Sequence, residues 1–124
     1  MFRSCQGKTL LQKNWSFSNQ TLIKFGIMGK ILVTGGCGYI GSHTIVELIQ
    51  LGYEVVCIDD LSNSDGSVIA GIESITGVKV KNTKISVGDS VALQTFFKEE
   101  GPIEAVIHFA AFKAVNESVI FPLK

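Results

Sequence analysis

The chain has 124 residues, 11 Lys+Arg against 11 Asp+Glu, 46% hydrophobic residues, 13 Gly and 2 Pro, which is the size of one globular domain and the composition of a folded chain rather than a disordered one. Its apolar stretches are broken by Glu47, Glu54 and His108 before they reach the roughly 18 residues of a membrane-spanning helix, and its balanced charge lacks the excess of Lys and Arg that a nucleic-acid surface needs. Cys5, Cys37 and Cys57 have neither the even count of a disulfide framework nor the spacing of a zinc site, which points to a reducing compartment.

The neutral total hides two unlike parts. Residues 1–27 carry Arg3, Lys8, Lys13 and Lys24 and no acid, whereas residues 28–124 hold every Asp and Glu. The basic part shows no sustained helical or strand period and precedes Met28-Gly29. It reads as an extension outside the fold, either unstructured or translated from upstream of a usual start at Met28. A basic, acid-free, Ser-containing segment also has the composition of an organelle transit peptide. The first of these readings, with a cytoplasmic location, is the expectation carried forward.

From Lys30 the pattern changes. Ile31, Leu32 and Val33 form a short apolar run without alternation, as in a strand buried on both faces of a parallel sheet. A glycine-rich loop follows, then Ile40, Thr44, Ile45, Leu48 and Ile49 at helical spacing, with Gly52 as the stop. Val55 to Ile58 is a second buried strand, and the polar turn Asp59 to Gly66 leads to a weak helix over Ser67 to Ile75 that ends at Gly77. One or two short strands are expected between Val78 and Val87, and a helix over Val91 to Glu100, closed by Gly101-Pro102. Ala105 to Phe109 is the last strand. Strictly alternating strands and helices predict an α/β, doubly wound parallel sheet with right-handed crossovers. Such a fold needs more strands beyond the fourth, so residues 28–124 read as the N-terminal portion of an incomplete domain.

The loop Thr34-Gly35-Gly36-Cys37-Gly38-Tyr39-Ile40-Gly41 joins the first strand to the first helix. Gly35 would allow the sharp turn out of the strand. Gly38 would let backbone N–H groups approach a pyrophosphate, and Gly41 would let the helix pack closely. The helix N-terminus supplies free amides and a positive dipole end for the anion. Asp59, at the end of the second strand, stands near the offset expected of a ribose-binding carboxylate in a Rossmann-type fold. It would repel a 2′-phosphate and no Arg adjoins it, so NAD is favoured over NADP. Asp60 beside it reads more simply as a solvated turn residue.

Three segments together resemble the UDP-glucose 4-epimerases of the extended short-chain dehydrogenase/reductase family. They are Val33 to His43, Asp59-Asp60-Leu61-Ser62-Asn63-Ser64, and His108-Phe109-Ala110-Ala111-Phe112-Lys113-Ala114-Val115-Asn116-Glu117-Ser118. The resemblance runs from about Lys30 to Lys124, and the last segment distinguishes these epimerases from related dehydratases and reductases. It implies that Tyr39 and Ile40 lie against the pyrophosphate. Asp59 through Ser64, with Asp60 and Asn63 among them, would surround the adenosine ribose and its phosphate, and Asp89-Ser90 would flank the adenine. Phe109, Ala110, Ala111 and Lys113 would line the cofactor further along. Asp60 stands where Asn is usual, and Ser90 where an apolar residue is usual.

The family's reaction moves a hydride from C4 of UDP-galactose or UDP-glucose to NAD and returns it to the other face, and family members can pair as homodimers. Its acid-base groups are a Ser or Thr and a Tyr-x-x-x-Lys pair. The only tyrosines here, Tyr39 and Tyr53, are followed four residues on by His43 and Cys57. The chain alone is therefore expected to be inactive; the alternatives to the epimerase reading are another NAD-dependent sugar-nucleotide dehydratase or reductase of the same family, or a truncated product that binds NAD without turnover. No nucleic acid, membrane or metal is expected as a partner. His43 and His108 read as packed or hydrogen-bonded side chains. Cys37 near a helix N-terminus could have a lowered thiol pKa, and Lys113 with Glu117 could be no more than an exposed i,i+4 pair.

Overall fold

The computed structural model describes residues 28–111 and 119–120. In chain order the elements are β1 (Lys30–Thr34), α1 (Tyr39–Gln50), β2 (Glu54–Ile58), α2 (Ser67–Thr76), β3 (Lys81–Thr83), α3 (Ser90–Glu100) and β4 (Ala105–His108). The strands form one sheet in the order β3-β2-β1-β4. All three pairings are parallel, with Leu32 opposite Val56 on one side and Val106 on the other.

Ile31, Leu32, Val33 and Thr34 are all buried, because helices cover both faces of the sheet. On one face Ile31, Val33 and Cys57 pack with Ile45 and Ile49 of α1 and Ile72 of α2. On the other, Leu32, Val56 and Ile58 pack with Phe96 of α3. Each fully buried aliphatic side chain of this kind contributes roughly 1.5 to 3 kcal/mol from area removed from water. The alternation of faces along β1 and β2 is what makes both strands continuously apolar in sequence.

Turn residues set the helix boundaries. Gly52, with φ +95°, follows the last residue of α1's C-terminal turn, and Gly77 ends α2 in the left-handed conformation, donating its N–H to the Glu73 carbonyl at 2.8 Å. Asp89 begins α3 by accepting from the Val91 and Ala92 amides at 3.1 and 3.0 Å. At the amino end of the sheet, Lys30 Nζ lies 3.1 Å from Glu54 and 3.3 Å from Glu100, and Lys81 reaches Glu100 at 2.7 Å. The Lys81 hydrogen bond, with that of Lys30, holds the Glu100 carboxyl below its ordinary pKa.

The third strand is shorter than the Val78–Val87 stretch suggested, with only Lys81–Thr83 paired. Val80 is buried, and Ile85 and Val87 pack beneath the second face as loop residues. At β4, Val106 is 52% exposed, whereas Ile107 and Phe109 pack against the α1–α2 face. Among the described residues no helix is long and apolar enough to cross a membrane.

Candidate dinucleotide site

A cavity of about 470 Å³ opens at the carboxyl ends of β1, β2 and β4. This is where a doubly wound sheet reverses its strand order, since β1 lies between β2, which precedes β3, and β4, which follows it.

The glycine loop forms its floor. Gly35 has φ +67°, and a Cβ there would lie 2.6 Å from the Ala110 nitrogen and 2.8 Å from the Phe109 carbonyl carbon. Glycine is required for the turn and for the contact alike. A Cβ on Gly41 would fall 2.8 Å from Gly36 Cα and closer still to the Gly35 carbonyl oxygen, so α1 packs directly on the loop. Gly38 caps α1 without a side-chain bond and donates its own N–H to the Gly35 carbonyl at 3.2 Å. The bond from the Ser42 amide to the Gly38 carbonyl opens the helix, and the Tyr39, Ile40 and Gly41 amides ahead of it belong to the first turn, where α-helical geometry leaves N–H groups without intrahelical partners. These three residues line the cavity with Gly35 and Gly38. No acidic residue occupies that turn, which leaves it suited to an anion.

Asp59 is 8% exposed and crosses from β2 to the loop. Its Oδ2 accepts from the Cys37 amide at 2.9 Å, and its Oδ1 from the Leu61 amide at 2.9 Å and the Ser64 hydroxyl at 2.8 Å. Leu61 adopts φ +60° in this turn and packs its side chain on the α1–α2 face. Asp60 accepts from the Ser62 amide at 2.9 Å, and bonds from Ser62 hold its carboxyl below the usual aspartate range. Asp59, Asp60, Asn63 and Ser64 all reach the cavity wall, as do Phe109, Ala110 and Ala111.

Asp89 and Ser90 do not. The Asp89 carboxylate is engaged as the cap of α3, and the wall at that end is Ile85, Ser86, Val87 and Gly88. The glycine of the Gly88-Asp89 pair is the last lining residue, and its aspartate, exposed at the start of α3, uses Oδ1 for the cap. Lys113 and Glu117 lie outside the described residues. Ser62, within the turn expected around the ribose, lines the cavity as well, whereas sequence reasoning missed Ile58 and the stretch Ile85 to Gly88. The available signal was that every loop after a strand of a parallel sheet opens on the same edge.

Cys37 differs from expectation. It is 3% exposed, and burial, followed by the negative charge of Asp59, raises its thiol pKa. Burial raises Cys57 as well, with Cys37 beside it. His43 is hydrogen-bonded: its Nδ1 donates to the Tyr39 carbonyl at 2.8 Å, and its ring stacks at a tilt on Tyr39 with centroids 4.6 Å apart. Among the described residues no group of His, Cys, Asp or Glu could hold a metal ion.

Residues 31–124 match the NAD dependent epimerase/dehydratase family. The chain belongs to that family. It is 52% identical over 94 residues to UDP-glucose 4-epimerase of Bacillus subtilis, covering 76% of this chain and 27% of the relative. It is 50% identical over 95 residues to the enzyme of the same name from Dictyostelium discoideum, covering 77% and 27%. Among solved structures, UDP-glucose-4-epimerase from Stenotrophomonas maltophila, with bound NAD and formylated UDP-arabinopyranose, superposes with a TM-score of 0.73 at 46% identity, covering 77% of this chain and 28% of that one. The chain thus spans about a quarter of the length of these family members, and the shared part holds the glycine loop and Asp59.

Proposed function

We propose that this chain is the NAD-holding portion of a UDP-glucose 4-epimerase, a protein that interconverts UDP-glucose and UDP-galactose by transient oxidation at C4. One observation carries the reading: Gly35, Gly38, Gly41 and Asp59 converge on one cavity at the strand-order reversal, in a chain about half identical to 4-epimerases. NAD, when bound, supplies the acceptor and donor of the C4 hydride.

The residues fit the cofactor. The first-turn amides of Tyr39, Ile40 and Gly41 would hold the pyrophosphate. Asp59 would accept from an adenosine ribose hydroxyl with the acceptor capacity left beside its three present donors. Asp60, Asn63 and Ser64 would border that ribose, and Asp89 and Ser90 would flank the base beside the wall of Ile85 to Gly88. Phe109, Ala110 and Ala111 would wall the nicotinamide half, with Lys113 further along it. Proton transfer to or from the sugar needs a base that neither Tyr39 nor Tyr53 supplies with a lysine four residues on. Such a base contributes about 10² to 10⁴ in rate.

The test is calorimetric titration of the 124-residue chain with NAD⁺ and NADP⁺, together with an assay of UDP-galactose conversion. NAD⁺ should bind more tightly than NADP⁺, and no turnover should occur. Equal affinities would remove the Asp59 assignment. Conversion at an ordinary enzymatic rate would remove the assignment of the base to another part of the protein.

A further inference from the structure

The side chains of Cys37 and Cys57 take no part in the phosphate and ribose contacts above, and the fold brings them together from two elements. Cys57 stands in the middle of the sheet, opposite Val33 on one side and Asn82 on the other, and is fully buried. Cys37 is inside the glycine loop and 3% exposed. Its amide donates to Asp59 Oδ2 at 2.9 Å. Asp59 follows Cys57 by two residues, so the two side chains rise on the same face of the sheet, and that bond holds Cys37 over Cys57. Gly36 closes the same contact. Its amide donates to the Cys57 sulfur, and a Cβ there would collide with that sulfur and lie 2.7 Å from Ile45 Cδ1. The two thiols share a hydrogen bond. With no third ligand beside them among the described residues, they do not make a metal centre.

Two thiols in contact can be joined. A disulfide draws its sulfurs to about 2.05 Å, well inside the separation of two hydrogen-bonded thiols. Cys57 cannot supply the movement, because β2 is held between β1 and β3. The glycine loop must therefore move instead. Closing the bond pulls Cys37 and its amide away from Asp59 and displaces the first-turn amides of Tyr39, Ile40 and Gly41, which line the cavity.

We propose that Cys37 and Cys57 form a redox switch of the dinucleotide site, in which a peroxide converts the pair into a disulfide that draws the glycine loop toward β2 and weakens its hold on the dinucleotide. The affinity part rests on the NAD reading above. In the first step the Cys37 sulfur, as thiolate, attacks one peroxide oxygen; the O–O bond breaks, and the departing hydroxide takes up the thiol proton as water, leaving a sulfenic acid. The Cys57 sulfur then displaces the sulfenic hydroxyl, the S–S bond forms, and the second thiol proton leaves in a second water. The pair gives up two electrons and the peroxide takes them. Burial keeps both groups as neutral thiols while the loop is closed, so the reaction waits for a lift of the loop that exposes Cys37. A dinucleotide lying across the loop slows it.

The test uses the full chain carrying C5S, in which Cys37 and Cys57 are the remaining thiols, and the same chain with C57V added. Hydrogen peroxide should join residue 37 to residue 57 in peptide maps, with the loss of two hydrogens, and dithiothreitol should restore the thiols. NAD⁺ affinity, titrated before and after treatment, should fall about tenfold on oxidation and return on reduction, whereas peroxide should change it by less than about twofold in the C57V chain. By linkage, saturating NAD⁺ should raise the midpoint potential of the pair by about 30 mV, the same tenfold factor seen from the other side. Absence of the 37–57 cross-link, a cross-link that leaves NAD⁺ affinity unchanged, or an equal loss in C57V would each overturn the proposal. Should the reduced chain bind no NAD⁺, the dinucleotide reading falls; the switch then stands if the cross-link shifts the amide resonances of Tyr39, Ile40 and Gly41, and falls if it does not.

Discussion

Asp59 gathers three donors from two parts of the chain: the Cys37 amide from the glycine loop, and the Leu61 amide and Ser64 hydroxyl from the following turn. It therefore holds the loop in shape as well as offering a carboxylate to a ribose. Asp59→Ala is expected to lower the unfolding free energy by about 2 to 3 kcal/mol, the scale of charge-assisted bonds lost from a buried site, and to narrow the NAD-over-NADP preference. Denaturant midpoints and titrations check the two effects separately, and an unchanged midpoint would restrict Asp59 to the ligand. The thiols give a second expectation. Burial raises the pKa of Cys37 and Cys57 above the ordinary 9.0, so the fold favours their neutral forms. Their contribution is complete below about pH 9 and is lost as pH rises toward the folded values. Melting temperature should decline above about pH 9, and less steeply in a Cys37→Ala/Cys57→Ala chain. Asp59 was legible in the sequence because strand, turn and carboxylate are neighbours. The state of Cys37 was not, because a lowered pKa needs an exposed thiol and exposure depends on Ile45 and Cys57 folding over it.

At the level of elements, two helical glycines with the same intrinsic cost behave in opposite ways. Gly71 in α2 has nothing within 4 Å of where a Cβ would stand, so Gly71→Ala should stabilise by about 0.5 to 1 kcal/mol. Gly41 in α1 abuts Gly35 and Gly36, so Gly41→Ala should lower stability by about 1 to 3 kcal/mol despite the better propensity and weaken NAD⁺ binding. Thermal melts of both variants check the pair, and stabilisation by Gly41→Ala would show that the loop can retreat. The strands β1, β2 and β4 could be read from hydropathy because each is an unbroken apolar run. β3 could not be bounded so well, since Lys81, Asn82 and Thr83 are polar and pair by backbone alone at the sheet edge; Asn82 Oδ1 and Thr83 Oγ1 are buried there with no partner among the described residues. The cap role of Asp89 was not legible for a related reason: a Gly-Asp step suits a ligand wall or a helix cap equally, and the cap shows only in the start of α3 at Ser90.

For the molecule as a whole, the match to the family begins at Ile31, and the first described backbone bond runs from the Met28 amide to the Gly52 carbonyl. Removing residues 1–27 should leave melting temperature and NAD⁺ affinity essentially unchanged; a marked fall in either would place that segment within the fold. The sheet topology has a kinetic consequence as well. Parallel strands cannot pair through a hairpin, so each pairing waits for a crossover to close, and the closure cost grows with the chain enclosed. β1 meets β2 across a single helix, as in Lys30 with Glu54, whereas Thr34 meets His108 74 residues away. β1, α1 and β2 should therefore assemble first and β4 dock last, and the same order should run in reverse when the native state opens locally. Amide hydrogen exchange should be slowest in Leu32, Val33 and Val56, faster at Ile107 and Phe109, and slowed by NAD⁺ most strongly at the β4 positions. The cofactor would then act as a clasp on the seam that closes last, reporting on the completion of the sheet as much as on the chemistry it serves.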